Sequence, residues 1–197
     1  MSKGRARQFD LEMALDSAEA VFRARGFSGA GVNDLMAAIG IGSGSFYAAF
    51  GSKSGLYEKV LARHAERRLS AARSALAHPD PRLSLIQLVE VTAADLCRQD
   101  TVAGCLFVLT GAHQLGTSAR CWNRYRAALQ KAIGVACNRL HRDGRADECA
   151  SWIMLILDAM NIQAMAGSDR TALVAAAREA LNVQLSAASR GSNWLAA

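Results

Sequence analysis

Proline, aromatic residues and strand-like alternation are all scarce in this chain, and each shortage narrows the fold. Only two residues of 197 are proline, Pro79 and Pro81, and 6% are aromatic, whereas 51% are apolar, with alanine and leucine dominant. No stretch alternates apolar and polar residues long enough to make a strand, and no unit repeats. An all-α fold is therefore expected. Long apolar runs are missing too. The longest, at 152–160, is interrupted by Asp158 and falls far short of the roughly 20 residues of a membrane span. A soluble protein with no membrane partner is expected.

Catalytic motifs are equally sparse. There is no phosphate-cradling glycine loop, no paired-carboxylate arrangement and no HExxH. The five cysteines, Cys97, Cys105, Cys121, Cys137 and Cys149, form an odd set without a CxxC pair, and the first residues are polar and charged, unlike a secretory leader. A reducing cytoplasm is the expected compartment. The nearest nucleophile and base, Cys105 and His113, lie eight residues apart on one expected helix, about 12 Å, beyond hydrogen-bond reach. Cys137 and His141 share a helical face and would make half a metal site, but no second half is evident. The expectation is a protein that is not an enzyme and holds neither cofactor nor metal.

What the chain has in excess is positive charge. Twenty-three Lys and Arg stand against 17 Asp and Glu, for a formal charge of +6 and a pI near 9.4. An anionic partner is favoured. Lys3, Arg5 and Arg7 precede the first acid, Asp10, and make a short cationic arm of the kind that touches phosphate or enters a minor groove.

Apolar spacing of three and four residues marks helices at about 9–25, 32–39, 43–49 and 53–76, the last capped by Ser52 and stopped by the two prolines. Similar patterns follow at about 83–98, 103–114, 118–142, 147–165 and 171–188, giving about nine helices. Gly26, Gly40-Ile41-Gly42, Gly51, Gly144 and Gly167 supply the breaks. Residues 1–52 are expected to form an N-terminal three-helix domain, linked through the helix 53–76, and residues 53–190 a C-terminal helical domain. The tail 191–197 reads as disordered.

An amphipathic helix followed by two short helices joined at Gly40 has the parts of a helix-turn-helix: small residues at the turn, a hydrophobic wedge and short polar side chains on the second helix. The run Gly26-Phe27, Val32, Leu35, Gly40-Ile41, Gly44-Ser45-Phe46-Tyr47, Phe50, Lys53 and Leu56 resembles the N-terminal signature of the tetracycline-repressor (TetR) family in residue type and spacing. The resemblance implies an all-helical homodimer that binds double-stranded operator DNA and is released by a small-molecule inducer of unknown identity. Ser43, Ser45 and Phe46 would face the major groove, Tyr47 and Lys53 would contact phosphate, and Arg5, Arg7 and Gly31 would add backbone contacts. Phe50 would be core. Two departures stand out. Ala30-Gly31 replaces the hydroxyl residue that usually caps the second helix. Gly42-Ser43-Gly44 places no Lys or Arg where a bidentate guanine contact is most common.

The second half is expected to hold an effector pocket and a dimer interface. His64, Cys105, Phe107, Trp122, Tyr125 and Met160 combine apolar walls with polar handles and are the pocket candidates. Trp152, Ile153, Ile156, Leu173, Ala177 and Leu181 lie on the last two long helices, which a four-helix bundle between two copies would bury. Gly104-Cys105-Leu106 resembles a motif that in some family members includes an electrophile- or oxidant-sensing cysteine, so a Cys105-based sensor is one alternative. A helix-turn-helix protein without an effector is another.

Overall fold

A computed structural model of the chain describes residues 9–98, 104–109, 116–141 and 144–189. All regular structure among them is α-helical: α1 (Leu11–Gly29), α2 (Val32–Ile39), α3 (Ser43–Phe50), α4 (Lys53–Leu76), α5 (Pro81–Leu96), α6 (Leu106–Leu109), α7 (Gly116–Leu140), α8 (Ala146–Met165) and α9 (Arg170–Ser189). No helix of the described residues is long and apolar enough to cross a membrane. Arg5 and Arg7 of the arm, His113 and the tail 191–197 lie outside the described residues.

Caps account for the boundaries. Asp10 accepts hydrogen bonds from the amides of Glu12 (2.8 Å) and Met13 (3.4 Å), satisfying two of the orphan donors that open α1. The helix breaks at Gly26, where one was expected, and adds a short turn to Gly29. Ser52 accepts from the Gly55 amide at 3.0 Å to open α4. Helix α5 begins two residues earlier than expected, because Asp80 caps the amides of Arg82 (2.7 Å) and Leu83 (3.2 Å) and Pro81 occupies the first helical position. An N–H is not needed there. The prolines that end α4 thus also start α5. Arg139 from α7 donates to the carbonyls of Leu76 (3.4 Å), His78 (2.9 Å) and Pro79, closing the C-terminal end of α4.

The described residues fall into two compact units. One draws on Met1–Glu66 and Leu106–Asn123, the other on Arg67–Cys105 and Arg124–Ala197. In the first unit α1 packs on α2, and Leu15, Phe22, Leu35, Phe46, Leu56 and Tyr57 fill the core. The Tyr57 ring lies 4.9 Å from Phe22 and 4.8 Å from Phe27. In the second unit α9 packs on both α5 and α8, over Leu88, Val89, Leu96, Leu157 and Leu181. Each such side chain contributes about 1.5–3 kcal/mol when fully buried.

Candidate nucleic-acid interface

The turn between α2 and α3 rests on Gly40, whose φ of 76° and ψ of 33° are left-handed. Its amide donates to Met36 O at 2.9 Å and that of Ile41 to the same oxygen at 3.1 Å, so the end of α2 is closed while the chain reverses. A side chain with a Cβ is disfavoured in this conformation. Two residues later Gly42 is extended and α3 begins.

Helix α3 divides its side chains sharply. Phe46 and Phe50, 0% and 5% exposed with rings 5.5 Å apart, are driven into the core of the unit. Ser43, Ser45 and Tyr47 are exposed, Tyr47 by 52%. The expectation that Phe46 faces the groove is therefore corrected: it is the wedge that seats the helix, one full turn before Phe50 on the same face. The exposed face offers three hydroxyls suited to hydrogen bonds with phosphate or base edges, and no cation.

Lys53, expected to contact phosphate, serves the protein's own backbone. Its ammonium donates to Phe27 O (2.9 Å) and Ala30 O (3.0 Å) and sits 4.5 Å from the centre of the Phe27 ring. It thereby ties the start of α4 to the segment that precedes α2. At Gly31 the amide donates to Asp34 Oδ2 at 3.3 Å, half of a capping box. Asp34 in turn pairs with Arg25 at 2.5 Å. The carboxylate thus occupies the amide that an anion would otherwise meet, and a Cβ at Gly31 would come to 3.0 Å from Asp34 Oδ2. Gly55 was not singled out from sequence. A Cβ there would collide with the Phe50 carbonyl, so the close approach of α3's end to α4's first turn requires glycine. A glycine inside an otherwise helical pattern was the available signal.

Behind this face, α1 and α4 are joined by charge. Glu19, 5% exposed, accepts from Arg23 Nε at 3.1 Å and lies 3.4 Å from His64 Nδ1. Arg63 donates to the Glu12 carbonyl (2.8 Å), to the Glu12 carboxylate (2.9 Å) and to Asp16. His64 has no exposed surface, and its ring packs edge-on to Phe107 at 5.6 Å, with Trp122 5.1 Å beyond. Of the six pocket candidates, these three meet in the first unit. His64, one of the pocket candidates, is a fully buried residue facing the Glu19 carboxylate. Residues 1–66 carry eight Lys and Arg against seven Asp and Glu, so the module is nearly neutral, and three of its eight cations belong to the arm.

The other three candidates belong to the second unit, where a cavity of about 70 Å³ lies between α4, α5 and α7. Tyr125 lines it; Cys105 and Met160 do not. Cys105 is 1% exposed, its backbone amide donating to Asn161 Oδ1 at 3.0 Å, and Met160 is 3% exposed. Both serve the core. In the cavity wall Arg68 donates from Nη1 to Asp95 (2.5 Å) and from Nε to the Tyr125 hydroxyl (3.0 Å). Burial alone would lower the pKa of Arg68, but Cys105, Tyr125 and Asp95 together raise it, so the guanidinium stays charged. Burial likewise pushes the Tyr125 phenol up, against the pull of Arg68. Cys137 is buried in the core and donates to Cys149 Sγ at 2.8 Å; that bond pushes the Cys137 thiol up and the Cys149 thiol down.

The expected dimer residues also divide. Ile153, Leu173, Ala177 and Leu181 are 1–4% exposed within the single chain, because α9 packs its apolar stripe onto α5 and α8. They are not available to a second copy. Ile156 is half-buried and Trp152 37% exposed. The apolar surface that remains open on α8 is Trp152, Leu155 (59%), Ile162 (60%) and Met165 (46%), joined on α9 by Val183 (67%). Trp152 and Leu155, and Ile162 and Met165, are each three apart, and the second pair follows the first by about two to three helical turns, so they form one stripe.

Residues 14–60 match the family model of bacterial regulatory proteins of the tetR family. The chain is 32% identical over 118 residues to the HTH-type transcriptional repressor BdcR of Escherichia coli (strain K12), spanning 59% of each chain. Over 178 residues, 85% of each chain, it is 26% identical to the HTH-type transcriptional repressor ComR of the same organism. A solved structure of the TetR family transcriptional regulator CifR, a cysteine mutant complexed with 26-bp double-strand operator DNA, is similar at 28% identity and a TM-score of 0.76, covering 90% of this chain and 98% of that one. The turn at Gly40, the wedge of Phe46 and Phe50 and the hydroxyl face of α3 lie within the matched segment, and the likeness to CifR extends over nearly the whole fold. Residues 14–60 are a regulatory segment of the tetR family, set in a fold similar to that of CifR.

Proposed function

We propose that the chain is a cytoplasmic, ligand-responsive transcriptional regulator, a homodimeric repressor that leaves a palindromic operator when a small molecule binds. The observation that carries this reading is α3, whose buried Phe46 and Phe50 present Ser43, Ser45 and Tyr47 outward from a tight glycine turn. BdcR, ComR and operator-bound CifR support it as relatives. Residues 1–52 are assigned to DNA binding. Helix α4 is continuous from Lys53 to Leu76 and links them to residues 53–190, assigned to effector binding and dimerisation. A shift of α4 on ligand binding would change the spacing of the two reading helices and so their fit to successive major grooves.

With α3 lacking cations, affinity rests on hydroxyls, on helix N-termini and on the arm with Lys3, Arg5 and Arg7. Dimerisation is assigned to the open stripe of Trp152, Leu155, Ile162 and Met165 with Val183. The test is selection of the full-length protein against a random duplex pool, followed by fluorescence anisotropy on the enriched sequence. A palindrome bound with an affinity that falls steeply with salt is expected; failure to enrich any sequence overturns the reading.

A further inference from the structure

Two buried thiols of the second unit are neighbours. Cys137 lies in the last turn of α7 and Cys149 in the opening turn of α8, and the Cys137 thiol donates to Cys149 Sγ at 2.8 Å. Both are free cysteines, 0% and 2% exposed. Their sulfurs stand within about 1 Å of the roughly 2.05 Å that a disulfide requires. The flanking turns carry Ile133, Ala136, Ala146, Ala150 and Ile153, all buried, so the pair sits in apolar core. Among the described residues no group of three or more His, Cys, Asp or Glu gathers to hold a metal.

The two thiols are chemically unequal. The hydrogen bond that Cys149 accepts lowers its pKa, against burial and the charge of Glu148, while the same bond and burial raise that of Cys137. Position agrees with this, because a helix N-terminus favours an anion and a C-terminus disfavours one. Cys149 is therefore the better nucleophile.

We propose that Cys137 and Cys149 form a site of reversible oxidation by hydrogen peroxide, closing to a disulfide that staples α7 to α8. The Cys149 thiolate attacks one peroxide oxygen; the S–O bond forms, the O–O bond breaks, and the leaving hydroxide takes up the proton shed by Cys149 to become water. Cys137 sulfur then attacks the Cys149 sulfenic acid. The S–S bond forms, the S–O bond breaks, and hydroxide leaves with the Cys137 proton as a second water. Two thiols lose two electrons and the peroxide gains them. Access comes from the helix ends, which open locally far more often than the whole fold. A brief opening admits a molecule the size of peroxide, whereas burial shuts out a peptide disulfide such as oxidised glutathione. The site stands on the second unit alone and holds whether or not α3 reads an operator.

The test treats reduced, folded, full-length protein with hydrogen peroxide, blocks the remaining thiols and maps non-reduced tryptic peptides by mass spectrometry. Trypsin places Cys137 in 132–139 and Cys149 in 146–170, with no other cysteine in either. These two peptides joined, and parted again by dithiothreitol, are the expected main product, with oxidised glutathione reacting at least tenfold more slowly. The oxidised protein should melt about 5 °C or more higher, since a closed loop restrains the unfolded chain, and Cys137→Ala should lose that rise. In Cys137→Ala dimedone should capture a sulfenic acid at Cys149, whereas Cys149→Ala should give at least threefold less label at Cys137. The linkage in the unsubstituted protein is decisive even if either variant fails to fold. No joined peptide, a link through Cys97, Cys105 or Cys121 in its place, equal rates with peroxide and oxidised glutathione, an unchanged melt, or heavier labelling of Cys137 than of Cys149 each overturns the proposal.

Discussion

The two compact units solve different problems with different residues. The first holds α1, two short helices and the start of α4 in place with glycines at tight positions, an aromatic cluster and charges between α1 and α4, and leaves a row of hydroxyls outside. The second buries a charged arginine with its carboxylate and phenol, sets two thiols side by side, and leaves an apolar stripe exposed on α8. Charge follows the same division. Of the formal +6, residues 1–66 account for +1, so the basic character of the chain says little about the module that carries the helix-turn-helix. A net charge locates a partner only when its distribution agrees.

The sharpest way to break the comparison is in the second unit. Asp95→Ala leaves Arg68 buried without its carboxylate and should cost about 3–5 kcal/mol of stability in a urea melt followed by circular dichroism; a loss below about 1 kcal/mol would show that the pair is solvated. In the first unit, Gly55→Ala forces a methyl against the Phe50 carbonyl and should cost about 1–3 kcal/mol, with DNA affinity lost alongside, because the end of α3 is displaced. An unchanged melt would show that the approach of α3 to α4 relaxes freely.

Lys53 and Tyr47 then separate scaffold from contact. Lys53→Met removes two hydrogen bonds to backbone carbonyls and should lower stability by roughly 1.5–3 kcal/mol as well as weakening DNA binding. Tyr47→Phe should leave Tm in place and weaken binding to all sequences alike, by several fold, as loss of a phosphate contact does. If Lys53→Met weakens DNA binding with no change in the melt, its ammonium turns to phosphate in the complex. The smallest effect is expected from pH. The Tyr125 phenol is raised by burial, so its contribution is fully present below the ordinary phenol value of about 10 and is lost as pH rises through the higher folded value. Tyr125→Phe should remove that part of the alkaline loss in melts recorded above pH 10.

The sequence by itself determined the all-α class, the order of the helices and the helix-turn-helix, because these depend on local rules. Apolar residues at three-and-four spacing, glycines at turns and oxygen caps act within a few residues of chain, and α2 and α4 begin and end where that periodicity places them. What depends on packing was decided only in three dimensions. Phe46 reads as a groove-facing residue until Phe50 and the core claim it, and Lys53 reads as a phosphate ligand until the Phe27 and Ala30 carbonyls come within 3 Å. His64 finds Glu19 forty-five positions away, and Cys137 finds Cys149 on the next long helix. Leu173, Ala177 and Leu181 are drawn inward where α9 packs on α5 and α8, while an apolar stripe of α8 stays exposed. The same apolar stripe on a long helix serves equally well against its own chain or a second copy. Periodicity records that a face must be covered, and only the tertiary structure decides by what.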